Sequence, residues 1–340
     1  MTEKMPELSF SRFFFQFAKT IMPDTFFWLM VVAVALAFAF PQIGRPDGVL
    51  QLGIITQLGV IFVFFIYGAS LKAQALAAGL RNWRIHALIQ SSTFILFPVI
   101  GLILYAAAKV FLTAPLDLGF FFLAALPSTI SSSVALTGIA RGNVPAAVFN
   151  ATLSGLIGLF ATPALIALVM SAEGGSFPIL ESVTKIIMVL LAPFAAGQVL
   201  RFWFSSFFDR NIQFTRGFDR VVILLIIFTS FSESVHNNLW QRLSLYELLI
   251  TGLMVIFALS VVLTMTVILA RAAGLSRSDE AAVVFCGTTK SLANGVPISQ
   301  VIFAGMPSII LLLLPLLLFH QLQLFVFGIM AKQYAKHSQE

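Results

Sequence analysis

The chain has 340 residues, 59% hydrophobic and only 10% charged, with a mean hydropathy of +0.99 and a formal net charge of +6. No soluble core needs that much apolar surface, so the composition describes a polytopic helical membrane protein, and continuous rather than alternating apolar runs argue against a β-barrel. The basic residues are scattered over short loops, which excludes a nucleic-acid partner, and the single Cys286 excludes a disulfide framework.

Residues 1–22 form a cytoplasmic or interfacial N-terminal segment. Its stretch Phe10 to Phe17 is aromatic-rich, with Arg12 and Lys19 beside it, and no cleavable signal peptide is expected. Ten apolar segments long enough to cross, or nearly cross, a bilayer follow: 23–41, 53–71, 87–111, 117–140, 144–171, 183–204, 217–236, 245–272, 279–304 and 307–331. A cytoplasmic tail, 332–340, closes the chain. Fifteen Lys and Arg fall in the N-terminal segment, the C-terminal tail and the loops on their side; four fall on the other side. The positive-inside rule therefore places both termini in the cytoplasm, and the expected location is a cell membrane, the inner membrane of a bacterium.

The ten segments divide into two sets of five, 23–171 and 183–331, joined by a linker at 172–182. A shift of 157 residues lays Ser131-Ser132-Ser133-Val134 on Thr288-Thr289-Lys290-Ser291 and Thr137-Gly138 on Asn294-Gly295. Five spans per set make the halves inverted. Inverted repeats with interrupted helices at corresponding positions are the signature of a secondary transporter whose site lies at the interruptions. A chance coincidence of small polar residues is the alternative. The expected fold is all-α, with spans 4 and 9 broken and crossing, around Ser131 to Ser133 and Thr288 to Lys290.

Lys290 is the most informative residue. A cation at membrane depth costs a few kcal/mol or more and marks a functional site by default. A snorkelling lysine at a helix end is the alternative, but apolar sequence continues on both sides. Ser131, Ser132 and Ser133 put hydroxyls on nearly every side of span 4, where each either faces the bundle centre or bonds back to its own helix. Asn150 in span 5 needs a partner, either a ligand or a neighbouring helix. His320, Gln321 and Gln323 interrupt the Leu-rich span 10, and Gln90 to Thr93 make a polar patch in span 3 ahead of Pro98. His320, Gln321 and Asn150 are expected to line one polar cavity, with Thr93 and Gln90 near its floor. No paired intramembrane carboxylate, phosphate loop, metal spacing or nucleophile-base pair is visible, so the chain does not read as an enzyme, and no cofactor is indicated.

The run from Pro127 to Pro163, with Pro-x-x-x-x-Ser-Ser-Val, Ala140-Arg141-Gly142-Asn143-Val144 and Ala161-Thr162-Pro163, resembles the fourth and fifth helices of the bile acid:sodium symporter family. The likeness covers nearly the whole chain and is strongest to the divergent branch that includes the seventh vertebrate member. It implies a panel domain (spans 1, 2, 6, 7), a core domain (spans 3, 4, 5, 8, 9, 10) and movement of one against the other. It also implies a sodium ion at Ser132 and Ser133, and polar residues near the substrate at His320 and Gln321. The family's sodium-binding Glu of the ninth helix falls at Phe285, the neighbouring Gln at Thr289, the third-helix Gln at Thr93, and fifth-helix hydroxyls at Ala147 and Ala151. Lys290 stands where the family often has Asn. The resemblance thus implies secondary-active transport of an organic anion through the lipid bilayer. Two alternatives stand beside it: sodium-independent transport with Lys290, held by Ser132, Ser133 and freed carbonyls, as a built-in cation, and a non-transporting sensor or regulatory membrane protein.

Overall fold

The computed structural model describes residues 25–70, 82–172, 184, 187–210, 212–304, 306 and 308–337. The expected N-terminal interfacial segment, 1–22, and most of the linker expected at 172–182 lie outside them. Among the described residues every regular element is helical, and six helices are long and apolar enough to cross a membrane. In chain order the helices are α1 (Thr25–Ala39), α2 (Leu52–Ser70), α3 (Trp83–Phe111), α4a (Leu116–Ala125), α4b (Ser131–Ile139), α5 (Val144–Ala172), α6 (Ala192–Arg210), α7 (Ile212–His236), α8 (Leu245–Ala272), α9a (Arg277–Thr288), α9b (Leu292–Ile302) and α10 (Ile309–His337). Trp28, Trp83 and Trp203 are exposed, as rings at a membrane-water boundary are.

The helices pack in two groups. In one, α6 lies along α2 and α7 lies against α1 and α2. The α2–α6 contact is backbone to backbone: a Cβ on Gly68 would meet the Phe194 carbonyl, and one on Gly197 would meet the Phe65 carbonyl. The last carbonyls of α2 are taken by α6 side chains, Gln198 Nε2 donating to Gly68 O and Arg201 to Ala69 O, both at 2.6 Å. In the second group, α4a packs on α3 and α10, and α9a packs on α3, α4b, α5 and α8. The two groups meet mainly where α7 packs on α9b and α10, and there Gln300 Nε2 donates to Ser230 Oγ at 3.2 Å.

The Ala140-Arg141-Gly142-Asn143 turn fixes α4b, α5 and α9a to one another. Arg141 has φ of 56° and turns the chain back. A Cβ on Gly142 would lie 2.8 Å from Thr137 Cγ2 and 2.9 Å from Ala281 Cβ, so only glycine allows the approach. Asn143 then caps α5, its Oδ1 accepting from Ala146 N at 3.0 Å. Its Nδ2 donates to Asp279 Oδ1 at 2.8 Å and its backbone N to Ser278 O at 2.9 Å, both at the start of α9a.

Candidate functional site

Two helices are interrupted, and the interruptions meet. The first runs from Leu126 to Ile130, between α4a and α4b; the second from Thr289 to Ser291, between α9a and α9b. Ser128 Oγ and Thr289 Oγ1 lie 2.9 Å apart, and Ser291 N donates to Pro127 O at 2.9 Å. The first break precedes the expected Ser131 to Ser133, which instead open α4b. Pro127 explains the position: it has no N–H and disfavours helical backbone at Leu126. The serines then start the next helix, with Ser133 N donating to Thr129 Oγ1 at 3.2 Å. The 157-residue register therefore does not superimpose the two breaks.

Breaking a helix at membrane depth frees carbonyls, and each needs a donor. Ser128 N turns to Ser154 Oγ at 2.9 Å, which leaves Ala124 O without its usual partner. Ala125 O accepts from Thr162 Oγ1 at 2.7 Å. A third free carbonyl arises in α3. Residues Ser92–Leu96 form a π-turn, in which Phe97 N bonds to Ser92 O. Thr93 O would next look to residue 98, but Pro98 has no N–H to offer.

Lys290 takes the Ala124 and Thr93 carbonyls, with Leu126 O as its third. Its Nζ donates to Leu126 O at 2.6 Å, Ala124 O at 2.7 Å and Thr93 O at 3.0 Å, and stands 4.2 Å from the centre of the Phe97 ring. An ammonium has three donors and no acceptor, so the cage satisfies it completely. The side chain is fully buried. Two of the three carbonyls belong to the C-terminal end of α4a, the negative end of its dipole, which favours a cation there. Phe97 adds the face of an aromatic ring. The expected ligands Ser132 and Ser133 are not in the cage: the Ser132 hydroxyl pairs with Thr129 Oγ1, and the Ser133 hydroxyl donates to Thr129 O, one turn back in the break.

The backbone of Lys290 is held from the other side by α10. Its N donates to Gln323 Oε1 at 2.9 Å and its O accepts from Gln323 Nε2 at 3.0 Å, a two-point bond like a rung of a sheet. Gln323 Nε2 also lies 2.9 Å from His320 Nδ1. Because Oε1 must accept from Lys290 N, Nε2 is the donor, and His320 Nδ1 accepts. Gln321 is half-buried beside them. Thr288 Oγ1 and Thr289 Oγ1 donate back to Val284 O and Phe285 O at 2.5 and 2.8 Å, while Asn294 N donates to Ser291 Oγ at 3.1 Å, capping α9b. Phe285, where the family resemblance places a carboxylate, is buried edge-on against Phe327 and Tyr334.

The polar residues expected to share one cavity fall in two clusters. Asn150 is fully buried, with Nδ2 on His86 Nδ1 and Ala146 O, both at 2.8 Å, and Oδ1 accepting from Gln90 Nε2 at 3.3 Å. Thr93 is also fully buried and donates to Ile89 O at 2.9 Å. Both are sealed, so neither lines an open cavity. Ser131 is exposed and Asn294 half-buried at the breaks. The freed carbonyls expected around Lys290 are present, but which ones they are was not readable; Pro98, five residues after Thr93, is a trace of the member from α3.

A family model described as the SBF-like CPA transporter family matches residues 24–336. An uncharacterized protein of Pseudomonas aeruginosa is 42% identical over 93% of this chain and 94% of its own length. The putative symporter YfeH of Escherichia coli is 37% identical over 93% and 94%, and a protein of Danio rerio named sodium/bile acid cotransporter 7 is 30% identical over 87% and 89%.

Proposed function

The chain belongs to the SBF-like CPA transporter family, and from that premise we propose that it is a secondary-active transporter of an organic anion in which Lys290 replaces a coupling sodium ion. The observation that carries this reading is the carbonyl cage. Backbone carbonyls at membrane depth are what a desolvated alkali cation takes in place of water. Here a tethered ammonium has them, and Phe285 stands where the resemblance places the sodium-binding carboxylate. The cation is covalent, so it neither arrives nor leaves during a cycle.

The rest of the reading is the ten-helix fold of two inverted five-helix repeats, 23–171 and 183–331, with both termini in the cytoplasm. The panel comprises α1, α2, α6 and α7, and the core comprises the remaining helices. The separate packing of these two groups, joined chiefly through α7, supports relative movement and alternating access. Ser131 and Asn294, accessible beside the breaks, and His320 and Gln321 on α10 are the groups proposed to meet the solute. The test is uptake of labelled organic anions into proteoliposomes, with sodium or with a non-alkali cation, for the wild type and Lys290→Ala. Uptake that ignores sodium and is lost in Lys290→Ala is expected. Steep sodium dependence with an active Lys290→Ala would establish ordinary symport. No uptake of any anion would favour the sensor reading.

A further inference from the structure

A cleft of about 390 Å³ opens on the surface of the second helix group, between the start of α3 and the end of α8, lined by Trp83, Arg84, Ala87, Leu88, Ser91 and Ala273. It is remote in character from the Lys290 cage, being open and peripheral. We propose that it is a binding site for an anionic phospholipid, with the phosphate at Arg84 and one acyl chain running along Ala87, Leu88 and Ser91.

Five observations converge. Arg84 is exposed, and no ion pair is formed by it among the described residues, so its guanidinium has donors to offer a phosphate. Among the described residues, no acidic side chain lines the cleft. Trp83 is 68% exposed at its mouth, where an amphipathic ring sits at headgroup level. Below them, Ala87, Leu88 and Ser91 recur at helical spacing and present a shallow, mostly apolar wall that a straight chain can follow. The cleft lies at the end of the molecule that carries most Lys and Arg, which the orientation proposed above turns to the anionic leaflet. The same helix continues directly into the π-turn Ser92–Leu96, which supplies the Thr93 carbonyl to Lys290. A lipid clamped on the first two turns of α3 therefore steadies one wall of the cage.

The experiment is native mass spectrometry of the full chain in detergent with phosphatidylglycerol, phosphatidylcholine or inorganic phosphate added, and thermal melting in parallel. Retention of phosphatidylglycerol over phosphatidylcholine, with a raised melting point, is expected. Arg84→Ala should weaken retention about fivefold, the effect of one basic contact at a membrane surface, and Ala87→Trp should block it by filling the cleft. Both positions are exposed, and unchanged helical circular dichroism checks that the variants fold. Equal retention of both lipids would reduce the cleft to ordinary solvation by lipid. Phosphate that binds or competes as well as the lipid would make it a free-anion site. Either result overturns the proposal, and neither depends on whether the protein transports.

Discussion

Lys290 and Glu280 are both buried charges on the same interrupted helix, and the chain satisfies them by opposite means. Lys290, at the break, is surrounded by neutral carbonyl dipoles and an aromatic face, with no counter-ion in its cage. Glu280, near the start of α9a, concentrates three donors on Oε1: Tyr334 Oη at 2.7 Å, Arg271 Nε at 3.1 Å and Arg277 at 3.5 Å. The arginine side chains are 59% and 58% exposed. The difference follows depth. At the end of a helix, water hydrates the partners, so full charges can gather cheaply. At the centre each added ion brings its own desolvation cost, and backbone already freed by a helix break does the same work without one.

The sharpest way to break this contrast is Lys290→Met. It leaves three buried carbonyls without donors, at about 1–3 kcal/mol for each unsatisfied group. The largest drop in melting temperature of any single change discussed here should follow, with uptake reduced to background. Lys290→Arg should not rescue it, because a planar fork cannot aim three donors at three converging carbonyls. A mild Lys290→Met phenotype would mean that the cage closes on itself and the ammonium is dispensable.

Next in size is Gln323→Leu, which strips both bonds from the Lys290 backbone while leaving the ammonium in place. A loss of about 2 kcal/mol in unfolding stability is expected. Glu280→Gln should cost no more than about 1 kcal/mol, since its ionic partners are exposed. Salt separates the two ends of the helix: raising ionic strength should shrink the Glu280→Gln deficit and leave the Lys290→Met deficit unchanged, because only the first pair is reached by mobile ions. The smallest effect is Ser131→Cys, an exposed hydroxyl, whose melting should stay within about 0.5 kcal/mol of wild type. A thiol reagent should label it in the intact protein, while the native Cys286, fully buried, stays silent. Labelling that slows as an organic anion is added would put Ser131 on the solute's path.

The helical class, the positions of the apolar segments and the singular standing of Lys290 were legible because each is a property of composition or of one charge in an apolar run. The location of the first break was misjudged by a few residues. Three serines look like a loosened helix, but Pro127 removes the hydrogen bond, and a serine is at ease in the first turn that follows. The part Gln323 plays in holding the break shows another limit. Residues 320 and 323 share a helix face, and only packing reveals which face meets the break. The cage was legible only in kind, as freed carbonyls around Lys290; that they are those of Thr93, Ala124 and Leu126 was not, since their side chains take no part in it.

The cage also imposes an order on biogenesis. At 12 and 11 residues, α9a and α9b each reach only about 17 Å, well short of a hydrocarbon core of about 30 Å. The segment between them carries an ammonium that bare lipid rejects. A translocon releasing this segment alone would find no stable place for it. Its acceptors lie 164 to 197 residues earlier in the chain. They are already synthesised when Lys290 leaves the ribosome, so the acceptors that this ammonium requires are made before it.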